Sequence, residues 1–183
     1  MAAAGYADLA AKIPAGADWL IVDTLGLEPV RLEVWQMVQP ELRDRLSEPA
    51  DLEKIFLGLA ATGYAMQLYR DSRPASGAEH HISHMIEMEP EAFPVKFPAM
   101  HGEKTGVGSL IAVREYKRLA KIEDVTPYIT DYAPIPEEHF RKFFGERLAD
   151  SLIRENENDC LAKVSREKLS ASWGELRHII DEL

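Results

Sequence analysis

Residues 51–66, DLEKIFLGLAATGYAM, set how the rest of the chain is read. Leu52, Ile55, Phe56, Leu59, Gly63 and Met66 fall at i, i+3, i+4, i+7, i+11 and i+14, which is one face of an α-helix. Pro49 and Asp51 precede the run where a helix start favours them. The pattern returns at Phe140, Phe143, Phe144, Leu148 and Leu152. A third helix is predicted from Thr105 to Lys121, after a break at Gly102. Alternation of period two is scarce, and the one short apolar run, DWLIVDTL at 18–25, reads equally as strand or buried helix. The FPVKFP segment at 93–98 reads as a loop stiffened by proline. The expectation is an all-α fold.

Bulk properties narrow the setting. At 183 residues and 46% hydrophobic content the chain can bury a core as one domain, 1–183. No stretch reaches the roughly 18 apolar residues of a membrane span. The start, MAAAGYADLAAKIPAG, lacks the basic region of a signal peptide. A single cysteine, Cys160, excludes an internal disulfide framework and a thiolate metal cage, and fits a reducing cytoplasm. The net charge of −10 weighs against nucleic acid as a partner, since phosphate needs a basic face. A small anionic substrate stays open, because one local cation suffices for it.

Four of the six histidines crowd into residues 80–101, where an even spread would leave fewer than one. If 77–88 is helical, His80 and His84 lie one turn apart on one face, and His81 points about 100° away. The order is not the H-E-x-x-H of zinc peptidases, because His81 holds the place of the glutamate. His101 returns after the proline segment and is free to meet the pair. Spacing alone leaves two readings open: a solvated polar face, or a site where imidazoles and a carboxylate hold zinc, nickel or iron. His139 and His178 read as structural or surface residues.

Three motifs in order, GYADLAAK at 5–12, SRPASGAEHHISH at 72–84 and HGEKTGVG at 101–108, resemble the glycerol-1-phosphate dehydrogenases of the iron-containing alcohol dehydrogenase superfamily, the bacterial type above all. The resemblance covers residues 2 to about 120 and, weakly, the remainder, as the helical C-terminal domain of the dehydroquinate synthase-like fold. It implies that Asp8, His80 and His101 hold one divalent metal, zinc or nickel with iron possible. His84 falls on a position facing substrate, and Lys12, one turn after Asp8, faces the same way, so both are read as catalytic. Glu79 and Glu103 are placed to orient ligands. Arg73 and Ser76 read as structural before they read as phosphate-binding.

The activity implied is interconversion of dihydroxyacetone phosphate and sn-glycerol 1-phosphate with NAD or NADP, a step of phospholipid metabolism. The ion would act as a Lewis acid beside a carbonyl that receives hydride. The superfamily's N-terminal nucleotide-binding domain has no counterpart in these residues. Gly106 and Gly108 match a phosphate loop only superficially, as the G-x-G-x-x-G register fails at Leu110. The chain therefore reads as the metal-bearing part of an enzyme, inactive in isolation, whose expected partners are a nucleotide-binding domain and further copies of itself. Within the superfamily, other alcohol and polyol dehydrogenases and the 3-dehydroquinate synthases are the alternatives. The synthases share H-G-E but carry G-H-T-x-G-H where this chain has SGAEHHISH. A non-catalytic helical metal-binding or docking module is the alternative of another class.

Overall fold

The computed structural model describes residues 1–88, 99–157 and 160–183, with the backbone alone at Leu161; FPVKFP lies outside them. Among the described residues all regular structure is helical. The helices are α1 (Ala2–Ala10), α2 (Lys12–Thr24), α3 (Leu32–Val38), α4 (Leu42–Arg45), α5 (Leu52–Tyr69), α6 (Ala78–Met88), α7 (His101–Leu119), α8 (Glu137–Asn156) and α9 (Arg166–Asp181), with short 3₁₀ turns at Thr126–Tyr128 and Cys160–Lys163. Two compact units emerge: Met1–Glu123 with Gly174–Leu183, and Asp124–Trp173. No helix among the described residues is long and apolar enough to cross a membrane.

In the first unit, local chemistry explains where helices begin and end. Pro14 has no N–H to give Ala10, and its ring crowds that carbonyl, so α1 stops at Ala10 and α2 sets off from Ala11. The DWLIVDTL run therefore resolves as helix, its first seven residues in α2. Asp51 caps α5, accepting the backbone N–H of Lys54 at 3.0 Å, and α5 closes on Arg70 in the left-handed region. Leu9, Trp19, Val34, Val38, Leu42 and Ala65 form the core. Trp19 meets Tyr69 edge-on, with ring centroids 5.0 Å apart.

Three local expectations are corrected. The buried face of α5 is Ile55, Gly58, Thr62 and Ala65, whereas Leu52 and Phe56 are 61% and 70% exposed. That face lies roughly a quarter turn from the one the large residues mark. Small residues set it. Gly58 receives Leu9, and Gly5 of α1 faces Ile55, so the helix backbones approach where side chains are short. Next, Gly102 does not break a helix, because α7 starts at His101 and Gly102 is buried in its first turn. In the second unit, the pattern from Phe140 to Leu152 does not run along one straight helix. Gly145 has φ 70°, ψ 166°, and the kink leaves Phe140 buried but Phe143 67% exposed.

The glycines of α7 bring the histidine-bearing elements together. A Cβ on Gly102 would lie 2.0 Å from the carbonyl oxygen of Ala4, and one on Gly108 2.2 Å from that of Glu79. Both obstacles are backbone, so no side-chain rotation relieves them. Gly108→Ala is expected to destabilise the protein by about 2–3 kcal/mol, because α6 must leave α7. Gly63→Ala, with nothing within 4 Å of the new methyl, is expected to stabilise by about 0.5–1 kcal/mol. Urea unfolding of both variants checks this; equal midpoints would contradict the close-contact account.

Candidate metal centre

Asp8 comes from the last turn of α1, His80 and His84 from α6, and His101 opens α7. Packing α7 against both α1 and α6 brings these residues together although they lie far apart in the chain. Asp8, His80 and His101 each offer one ligand atom within 4.8 Å of the other two. His80 Nε2 stands 3.6 Å from Asp8 Oδ1, and the rings of His80 and His101 have centroids 5.4 Å apart. An ion with bonds of roughly 2.0–2.2 Å spaces tetrahedral ligands by roughly 3.4 Å, so modest closure of the longest separation accommodates one.

Each imidazole is held from behind by a carboxylate. Glu79 Oε1 lies 2.7 Å from His80 Nδ1, and Glu87 Oε1 lies 3.0 Å from His101 Nδ1. A carboxylate only accepts, so Nδ1 carries a proton in both rings and Nε2 is the nitrogen that faces the cluster. Glu79 is fully buried; it also accepts the N–H of Gly77 at 2.9 Å, while its Oε2 has no hydrogen-bond partner among the described residues. Burial would push Glu87 up, but the hydrogen bond and charge of His101, then those of Lys104, outweigh it and hold the carboxyl below its ordinary value.

Lys12 is 3% exposed and donates to Asp8 Oδ1 at 2.9 Å, the oxygen that also faces His80. His84 flanks the cluster, its ring centroid 6.1 Å from those of both His80 and His101. Burial first, and then the neighbouring His80, lower the pKa of His84, which keeps it neutral near pH 7. His81 is exposed on the adjoining face.

Other sequence candidates lie elsewhere. Glu103 accepts the N–H of Met100 at 2.8 Å, closing the first turn of α7 and orienting no imidazole. Arg73 pairs with Glu28 at 2.9 Å, away from the cluster. Gly106 and Gly108 sit in mid-helix against Ala7 and Glu79, not in a turn. Sequence reading passed over Glu87, Thr105, Asp18 and Tyr116. Glu87 had a signal, for His80, His84 and Glu87 fall at i, i+4 and i+7 on one helical face. Thr105 did not; its hydroxyl lies 3.3 Å from both Ser83 Oγ and His101 Nε2.

No protein-family model matches the chain. Curated relatives do. A glycerol-1-phosphate dehydrogenase (NAD(P)+) of Bacillus velezensis is 34% identical over 142 residues, 72% of this chain and 36% of the relative. The enzyme of the same name from Bacillus subtilis is 32% identical over 166 residues, 83% of this chain and 41% of the relative. That from Pyrococcus horikoshii is 36% identical over 120 residues, 60% of this chain and 32% of the relative. The chain thus spans 32–41% of the length of these relatives. By sequence, this chain is a homologue of part of the glycerol-1-phosphate dehydrogenases.

Proposed function

We propose that the chain supplies the metal-binding portion of an NAD(P)-dependent sn-glycerol-1-phosphate dehydrogenase, which interconverts dihydroxyacetone phosphate and glycerol 1-phosphate. The observation that carries the reading is the convergence of Asp8, His80 and His101, each imidazole backed at Nδ1 by its own carboxylate. One carboxylate and two imidazole nitrogens with a free lone pair fit a first-row divalent ion, zinc or nickel with iron possible. Such an ion, when bound, supplies Lewis acidity toward a carbonyl oxygen.

The remaining roles fall to this chain's own side chains. Asp8, His80 and His101 hold the ion, and Glu79 and Glu87 keep both rings in the tautomer that presents Nε2. Lys12 places an ammonium beside the cluster, so an incoming anion gains its charge, and the substrate class that suits this is a phosphate ester. His84, neutral at pH 7, offers one donor and one acceptor to a substrate hydroxyl. The nicotinamide would be held by residues outside these 183, as the greater length of the relatives supports.

The test is metal uptake. The purified chain is expected to bind about one equivalent of zinc, more weakly at pH 5 than at pH 7, because the ion then competes with protons for the imidazoles. His101→Ala should weaken uptake and flatten that dependence. Uptake indifferent both to pH and to His101→Ala would mark adventitious binding and overturn the reading.

A further inference from the structure

Asp18 is a carboxylate set between buried Ala17 and Trp19 in α2, in a run that is otherwise apolar. Its two oxygens reach two other helices. Oδ2 accepts the N–H of Ala78, the first residue of α6, at 2.6 Å, and Oδ1 accepts the hydroxyl of Tyr116 in α7. The contact is tight, for a Cβ on Gly77 would lie 2.1 Å from Asp18 Oδ2 and 2.9 Å from Glu79 Oε2. Only glycine at 77 lets both carboxylates converge there. One residue further on, Glu79 grips the Gly77 N–H and His80 Nδ1 with the same oxygen, Oε1. A hydrogen-bonded chain therefore runs from Tyr116 through Asp18 to the start of α6, and from there through Glu79 to the His80 ring.

The lever arm gives this chain a consequence. A side chain tip stands roughly 5–6 Å from its helix axis, so a 10° roll of α6 carries it roughly 1 Å. A metal ligand must be held to within about 0.5 Å to stay effective. Covalent geometry and the α6–α7 contact restrain the roll, but the backbone N–H groups at the start of α6 have no partner within that helix. Asp18 takes one of them, and Tyr116 anchors Asp18 to the helix that carries His101.

We propose that Asp18 and Tyr116 are positioning residues: together they set the start and roll of α6, so that Glu79 holds the His80 ring with Nε2 toward Asp8. The consequence for metal affinity rests on the reading of Asp8, His80 and His101 as ligands; the consequence for the His80 ring does not. Neither residue touches the cluster. Their hydrogen bonds reach α6 at Ala78, next to Glu79.

Two readouts on the full chain test this. In metal-free protein, long-range ¹H–¹⁵N correlation spectra report which His80 nitrogen carries the proton; zinc titration against a competing chelator reports affinity. Wild type is expected to show the Nδ1–H tautomer. Asp18→Ala should mix the two tautomers and weaken zinc binding by about tenfold or more, the range seen when an outer partner of a ligand is lost. Tyr116→Phe should weaken it by about threefold to tenfold. Asp18→Asn keeps an oxygen for Ala78 and an amide toward Tyr116, and is expected to restore the tautomer and nearly all the affinity. A role confined to stability would lower the melting temperature and leave tautomer and affinity alone, which overturns the proposal. Should Asp18→Ala fail to fold, Tyr116→Phe decides: an unchanged tautomer with unchanged affinity overturns it too. If His80→Ala binds zinc as wild type does, the metal reading falls, while the tautomer still decides the positioning roles.

Discussion

Purified by itself and loaded with zinc, the 183-residue chain is expected to leave NADH and NADPH unoxidised in the presence of dihydroxyacetone phosphate. Hydride transfer requires the nicotinamide in contact with the carbonyl carbon. Holding two reactants in such a geometry is worth roughly 7–11 kcal/mol of barrier, about 10⁵–10⁸ in rate. On the proposed reading, the side chains gathered around Asp8, His80 and His101 serve an ion and an anionic substrate. Nothing among them suits a dinucleotide. The glycines that might have formed a pyrophosphate turn, Gly106 and Gly108, are in mid-helix and pressed against Ala7 and Glu79. Their backbone N–H groups are committed to the helix, so they have none to offer phosphate. Following the loss of reduced nicotinamide by absorbance, with and without the dinucleotide-binding portion of a relative supplied in trans, checks this. Turnover by the 183 residues alone would sink the proposal that the nicotinamide is held elsewhere; turnover only with the added portion would support it.

The second large effect is expected from His80→Ala, which should weaken zinc binding by about 100-fold or more. The substitution deletes a proposed ligand nitrogen, and it also strips the fully buried Glu79 of a hydrogen-bond partner. A buried carboxylate deprived of its donor costs about 1–3 kcal/mol, so a fall in thermal stability should accompany the loss of metal. Glu79→Gln separates the two effects. Its amide oxygen can still accept from Nδ1 without the charge, and a loss of about 10–100-fold is expected. His84→Ala, which removes a ring beside the cluster and no proposed ligand, should change zinc affinity by less than about threefold. Chelator-competition titrations rank the three variants. Equal losses from His80→Ala and His84→Ala would make His84 a ligand and break the assignment.

These predictions draw on features of unequal visibility in the sequence. The helix at 51–66 was legible because its signals are local: a cap at Asp51 and apolar residues at helical spacing. Its buried face was not, because large residues mark where apolar surface could go, whereas Gly5 and Gly58 mark where two backbones actually approach. The same reason hid the meaning of Gly102. A glycine read alone signals a break, and only the carbonyl of Ala4 lying against it makes it a contact. His80 and His84 declared themselves through i, i+4 spacing. Asp8 carried no such mark and was singled out only by the resemblance of GYADLAAK to a family motif.

By itself, then, the sequence determined that the described residues are helical, that one helix starts after Asp51, and that His80 and His84 share a face of α6. Those properties follow from hydrogen bonds and side-chain spacings that span four residues or fewer. The tertiary structure decided that α1, α6 and α7 meet, that Asp8 stands 3.6 Å from His80, and that Glu79 and Glu87 take the outward nitrogens of the two rings. It also decided that Asp18 and Tyr116 reach the start of α6 from two other helices. Such meetings depend on how closely whole helices pack. That closeness rests on the missing Cβ at Gly77, Gly102 and Gly108, where a Cβ would lie 2.0–2.2 Å from a neighbouring oxygen, a fit that no local pattern of residue types encodes.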